Sequence, residues 1–284
     1  MSNQYLFSPQ KTQQMISDGT AIAVDVRDSD AFESSHLPGA VNIPEMFYEL
    51  SMSTEEGLRE MENTFIPLFS KAGLSKDKTI IVYEDSLNTR YGGSCRGFFQ
   101  LSYFGYPNVG VLDGGMAQWQ AEGLSLTDRI ESYPATVIIP EYDRSFFVDK
   151  AEMLAALENP QVKILDNRDA DEWRGESSSP YGADFAPRKG RLPGARWIEW
   201  YNFMSADDGI PHFLPADRTR ALCAQVGLYP EDDIIVYCFK GARASNTLLA
   251  LKIAGFEHVR NYYGSWNEWS RDPSLPADQE VLAA

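Results

Sequence analysis

The chain has 284 residues, 43% of them hydrophobic and 23% charged. That excludes a disordered or collagen-like polymer, and the length exceeds one small core and points to two domains. Lys and Arg number 25 against 41 Asp and Glu, for a formal net charge of −16. Such a field repels phosphate backbones, so nucleic acid is excluded as a partner and any anion site has to be assembled locally.

No apolar run approaches the roughly 20 residues that a membrane-crossing helix needs, so no membrane association is expected. The start of the chain, Met1-Ser2-Asn3-Gln4-Tyr5, lacks the basic and then apolar stretch of a secretory signal. Cys95, Cys223 and Cys238 are the three cysteines, too few and too scattered for a disulfide framework. With no Cys-x-x-Cys pair and three histidines, no metal site and no cofactor are expected. A reducing cytoplasm suits such thiols.

In chain order, 21–24 reads as a buried strand that ends in Asp25-Val26-Arg27. His36-Leu37-Pro38-Gly39-Ala40 follows, then a second strand over 79–83 that ends at Glu84. Gly105-Tyr106-Pro107 and Gly114-Gly115-Met116-Ala117-Gln118-Trp119 close the set. The same order then recurs. A strand over 162–165 leads to Asp166-Asn167-Arg168, and Arg191-Leu192-Pro193-Gly194-Ala195 follows. Ile234-Ile235-Val236-Tyr237, Gly255-Phe256-Glu257 and Gly264-Ser265-Trp266-Asn267-Glu268-Trp269 complete the second set. A repeat this long is no solenoid but a tandem duplication of one domain. The second copy carries 14 extra residues between its Asp-x-Arg and Leu-Pro-Gly-Ala blocks, in a stretch rich in Ser, Pro and Gly that reads as a loop. The expected division is 1–128, a linker over 129–143 that holds Pro134 and Pro140, and 144–284.

The apolar runs are continuous rather than alternating, as in parallel strands covered on both faces. Helical patterns such as 245–254 separate them, so each copy is an α/β domain with a parallel sheet flanked by helices. Sites in such sheets lie beyond the carboxyl ends of strands. One strand end carries reactive chemistry. Ile234-Ile235-Val236-Tyr237 runs directly into Cys238-Phe239-Lys240-Gly241-Ala242-Arg243, and a helix begins there. A cysteine between strand and helix sits where N–H groups lack partners and the dipole is positive, which stabilises a thiolate. Gly241 lets Phe239–Ala242 N–H groups converge, and Lys240 and Arg243 bring two cations. The pattern is an anion cradle with a nucleophile at its base. The plain alternative is an ordinary buried cysteine beside a solvated helix start.

This loop, the paired Asp-x-Arg and Leu-Pro-Gly-Ala segments and the Gly-rich tails with Trp together resemble the tandem-domain rhodaneses, the thiosulfate sulfurtransferases. The resemblance spans both halves. It implies two rhodanese-like domains, with catalysis confined to the second. Glu84 falls at the position of Cys238, and a carboxylate cannot carry sulfur, so the first half is expected to be silent. The resemblance implies that Cys238 takes the sulfane sulfur of thiosulfate as a persulfide and passes it to cyanide or a thiol. Phe239, Lys240, Gly241, Ala242 and Arg243 would bind the substrate. Two cations favour dianionic thiosulfate over 3-mercaptopyruvate, which stays open as a donor, as does a persulfide relay to a protein sulfur acceptor. The Cys-x4-Arg spacing is one residue shorter than the Cys-x5-Arg of cysteine phosphatases and leaves less room for a phosphoryl group.

One segment departs from the family pattern. Tandem rhodaneses often carry a substrate-binding Arg before an aromatic residue, whereas this chain reads Glu172-Trp173-Arg174-Gly175. Arg174 is the nearest candidate for that role, and Arg188, Lys189 and Arg191 in the extra loop are further ones. Asp25 with Arg27 and Asp166 with Arg168 read as structural ion pairs, because the silent half keeps the same pair. His36 reads as structural, Cys95 and Cys223 as bystanders, and Trp197, Trp200, Trp266 and Trp269 as packing.

Overall fold

The computed structural model describes residues 5–50 and 52–282; the residues before Tyr5, read above for a signal, lie outside them. Two compact units make up the chain. One takes in the chain to Glu49, Glu60–Asp143 and Ser205–His212, and the other Leu50–Arg59, Arg144–Met204 and the chain from Phe213 on. The main break falls between Asp143 and Arg144, and each unit also holds a short segment from the opposite half of the sequence.

In the first unit, Leu6–Phe7 (β1), Ala21–Asp25 (β2), Val41–Asn42 (β3), Thr79–Tyr83 (β4) and Val109–Leu112 (β5) form one sheet in the order β1-β5-β4-β2-β3. Every pairing in it is parallel. In the second, Phe147–Val148 (β6), Val162–Asp166 (β7) and Arg196–Trp197 (β8) are followed, after the separate ribbon Met204–Ser205 (β9) and His212–Phe213 (β10), by Asp233–Tyr237 (β11) and His258–Tyr262 (β12). Its order, β6-β12-β11-β7-β8, reproduces the first strand for strand, again all parallel. Both central strands, β4 and β11, are buried after their first residue, which accounts for their unbroken apolar sequence.

The repeated Asp-x-Arg segments lock the carboxyl end of each sheet. Asp166 lies in register with Tyr237. The Arg168 guanidinium closes on its carboxylate at 2.6–3.1 Å, and the Tyr237 hydroxyl donates to the same carboxylate at 2.5 Å. That hydroxyl in turn accepts the Leu192 N–H at 3.1 Å, which fixes the Leu-Pro-Gly-Ala segment beside the strand. The first unit repeats the arrangement. Arg27 binds Asp25 at 2.7 Å and Leu37 N–H donates to the Tyr83 hydroxyl at 3.2 Å. The ion pairs are therefore internal girders of both halves. His36 is buried between the Phe32 and Arg129 carbonyls, 2.6 and 3.2 Å from its ring nitrogens. Trp200, Trp266 and Trp269 are fully buried, and Trp197 stacks on Trp173. Cys223 is buried in the helix Ala216–Gln225, where burial pushes its thiol up to about 12.

Breaking a buried pair strands a charge and costs about 3–5 kcal/mol, whereas an exposed pair is worth little. Asp166→Ala is expected to lower the unfolding free energy by that amount in chemical denaturation. Arg59→Ala, in the exposed pair with Glu55, is expected to leave the midpoint in place.

Candidate active site

β11 delivers Cys238 directly from the sheet into a tight loop, and the helix Ala242–Ile253 starts four residues later. Gly241 makes the turn with φ of 81°, and a Cβ there would meet the Tyr263 carbonyl at 3.0 Å, so glycine is required on both counts. Its N–H donates to Cys238 Sγ at 3.1 Å. The loop carbonyls are held elsewhere. Trp266 N–H donates to the Cys238 carbonyl at 3.0 Å and Asn267 N–H to that of Phe239 at 2.8 Å. The Gly241 carbonyl accepts the Ser245 hydroxyl at 2.7 Å and the Asn261 amide at 3.0 Å. Cys238 N–H donates to Ser265 Oγ at 3.2 Å, and that hydroxyl donates to the Tyr262 carbonyl at 2.8 Å. Ser265 sits at φ of 51°, a conformation that costs energy for a residue with a side chain. With these carbonyls so tied, the Gly241 N–H, at the start of the helix, is the backbone donor seen on the sulfur.

The two loop cations have different surroundings. Arg243 is buried and grips Glu172 with two contacts, 2.6 Å to Oε2 and 3.1 Å to Oε1, and reaches Asp169 Oδ1 at 2.9 Å. Burial works against the Arg243 charge, but Glu172 first and then Cys238 and Asp169 hold the guanidinium protonated. Burial pushes the Glu172 carboxyl up from its ordinary value, and Arg243 pulls it back. Lys240, largely buried, places Nζ 5.8 Å from the centre of the Tyr181 ring. Tyr181 also packs on Phe239 with ring centres 5.2 Å apart.

Tyr181 belongs to the extra loop of the second half, which is stapled in place by its own cations. Arg188 donates to the carbonyls of Trp269, Ser270 and Leu275 at 2.9–3.2 Å. Lys189 donates to the Glu176 carbonyl at 2.8 Å, and Arg191 to that of Glu280 at 3.1 Å. Arg174 pairs with Glu176 at 3.1 Å at the surface. The structure thus gathers Cys238, Phe239, Lys240 and Gly241 in one loop, with Ala242 and Arg243 in the first turn of the helix after it, and it directs Arg174, Arg188, Lys189 and Arg191 to partners of their own. Ser265, Asn261, Tyr181 and Asp169 join the site without having been singled out in the sequence. Of these, only Asp169 carried a legible signal, the Asp-x-x-Glu spacing to Glu172 that caps the helix Ala170–Trp173.

The first half holds the matching cradle around Glu84. Glu84 Oε1 accepts the Ser94 N–H at 2.9 Å and the Ser94 hydroxyl at 2.6 Å, at the start of the helix Gly93–Tyr103. Thr89 donates to Oε2 at 3.2 Å. The Glu84 carbonyl accepts Met116 N–H at 2.9 Å, the counterpart of the Trp266 bond to Cys238. Cys95 follows Ser94, buried in that helix. Burial pushes the Glu84 carboxyl up to about 7 against the pull of the Ser94 bonds. Among the described residues, no group of three or more His, Cys, Asp or Glu side chains is arranged to hold a metal ion, and no helix is long and apolar enough to cross a membrane.

Since Glu84 holds its proton more tightly in the folded chain than its ordinary value of 4.5, its contribution to stability is full below pH 4.5 and is lost as pH rises through 7. The expected loss is about 3 kcal/mol. Glu84→Gln abolishes that dependence, and unfolding free energies of both proteins across this pH window measure the difference.

Comparison with known proteins gives the family. The rhodanese-like domain matches twice, at residues 8–122 and 149–272. A Thermus thermophilus protein named sulfur carrier protein TtuD is 30% identical over 279 residues, covering 95% of each chain. A Corynebacterium glutamicum thiosulfate sulfurtransferase is 30% identical over 268 residues, covering 92% of this chain and 86% of that one. The crystal structure of an anaerobic ergothioneine biosynthesis enzyme from Chlorobium limicola superposes with a TM-score of 0.80 at 24% identity, over 98% of this chain and 70% of that one, a likeness of fold. The chain belongs to the rhodanese-like family of sulfurtransferases and carries the domain twice.

Proposed function

We propose that this chain moves the sulfane sulfur of thiosulfate to a thiophilic acceptor, cyanide or a thiol, through a persulfide on Cys238. The observation that carries the reading is the Gly241 N–H on Cys238 Sγ at 3.1 Å, at the start of a helix. A donor aimed at sulfur there stabilises the thiolate before reaction and the persulfide after it. In the first step the Cys238 thiolate bonds to the outer sulfur of thiosulfate. The bond between the two donor sulfurs breaks, and its electron pair leaves on sulfite. In the second step the acceptor's lone pair bonds to the terminal sulfur, the persulfide bond breaks, and its pair returns to Cys238 as thiolate. This is covalent catalysis of the ping-pong kind, and neither step needs a cofactor. Lys240 and Arg243 steady the anions, Phe239 and Ala242 shape the loop, and Gly241 turns it. The first half, with Glu84 in its cradle, has no sulfur carrier at the equivalent position and is assigned a supporting part.

A second reading, a persulfide relay that serves a protein acceptor, is favoured by one observation: a relative spanning the whole chain is named a sulfur carrier protein. The three free thiols suit a reducing cytoplasm, and the acidic charge argues against nucleic acid as a partner.

Intact mass after incubation with thiosulfate is expected to rise by one sulfur atom in the wild type, to stay fixed in Cys238→Ser, and to fall back on addition of cyanide. An unchanged wild-type mass, with loading from a protein persulfide donor instead, would select the relay. Lys240→Ala is expected to raise KM and to cost about 1–3 kcal/mol in kcat/KM with little change in stability. Arg243→Ala is expected to cost folding stability as well, because Glu172 is left buried without its partner.

A further inference from the structure

We infer that Glu172 tunes how strongly the Cys238 site discriminates between donors by charge: by offsetting the Arg243 charge it narrows the preference for a dianion over a donor with one negative charge. This rests on the reading of Cys238 as an anion-facing nucleophile. Sequence alone places Lys240 and Arg243 side by side in the loop and suggests a site of two positive charges. The structure changes that balance. Glu172 is 1% exposed and meets Arg243 through both carboxylate oxygens, at 2.6 and 3.1 Å. Asp169, part-exposed, adds an oxygen of a second carboxylate at 2.9 Å. Arg168, the next buried cation, is closed on Asp166 at 2.6 Å.

A pair buried this deeply is screened little by water or salt, so its field reaches a substrate bound at the sulfur. The Glu172 charge opposes every negative charge on an incoming donor. It therefore discriminates by charge number, and the loss is twice as large for a dianion as for a monoanion. The backbone N–H groups of the loop are unaffected and bind the sulfur of either donor. Glu172 is thus a specificity-determining residue that acts through Arg243.

The test is a series of reagents of charge 0, −1 and −2 on Cys238: iodoacetamide, iodoacetate and thiosulfate. Rates are read site by site from peptide mass, in the wild type, Glu172→Gln, Asp169→Asn and Glu176→Gln. Gln at position 172 keeps the size and one acceptor for Arg243 and removes the charge. Any general change in thiol reactivity moves all reagents alike and cancels in the ratios. The iodoacetate to iodoacetamide ratio is expected to rise roughly tenfold in Glu172→Gln, with a larger rise for thiosulfate, and less in Asp169→Asn. Glu176, exposed and paired with Arg174, reports any long-range effect of net charge, and Glu176→Gln is expected to leave the ratio as in the wild type. A ratio within twofold of wild type in folded Glu172→Gln overturns the inference, as does an equal rise in Glu176→Gln. Should Glu172→Gln not fold, an unchanged ratio in Asp169→Asn overturns it instead. Failure of thiosulfate to load any of the proteins counts against the proposed donor alone, because the alkylation ratio is measured without sulfur transfer.

Discussion

Two backbone hydrogen bonds repeated in each half organise the site. The carbonyl of the residue after the central strand, Cys238 or Glu84, accepts an N–H from the short helix that follows the next strand, Trp266 or Met116, and the neighbouring carbonyl accepts the next N–H, Asn267 or Ala117. A tight loop between strand and helix has as many carbonyls as N–H groups, and both kinds demand partners when buried. Tying these two carbonyls to that helix turns them away, and a backbone N–H, that of Gly241 in one half and Ser94 in the other, meets the side chain at the strand end. The anion cradle is a consequence of this partition, and the identity of the residue placed in it decides what the cradle is for.

In the second half that residue is a thiol, and in the first it is a carboxyl that takes the N–H and hydroxyl of Ser94 itself. The duplication therefore kept the backbone device and changed its occupant. A carboxylate so buried is costly when ionised, which is why Glu84 is pushed up toward neutrality. The sheet order and the Asp-Arg-Tyr clusters at the strand ends are the same in both halves. They belong to the common scaffold, on which the second half carries a thiol at the strand end and the first half a carboxyl.

Charge is handled locally, as an overall excess of 16 negative charges requires. Arg243 is held charged in the interior by Glu172 and Asp169, and Lys240 lies under the Tyr181 ring. Desolvation makes each of these contacts stronger than it would be at the surface. The other basic residues of the extra loop serve to fasten it. Arg188 caps three carbonyls around Trp269, so the loop is a fixed wall that brings Tyr181 against Phe239.

The sequence by itself determined the parts that rest on local pattern and on repetition. Continuous β-branched runs such as 234–237 announced buried parallel strands. The recurrence of Asp-x-Arg and Leu-Pro-Gly-Ala announced two copies of one domain, and the position of Cys238 between strand and helix announced a candidate nucleophile. Glu84, aligned with it, marked the half with a carboxyl there. Only the tertiary structure decided where the cations go. Arg174 and Glu172 are two residues apart, yet one turns to Glu176 at the surface and the other inward to Arg243. Ser265, Asn261 and Tyr181 reach the loop from segments about 20 to 57 residues away in sequence. Side-chain partners across such separations follow from how strands and loops pack in three dimensions, and spacing along the chain carries no trace of them.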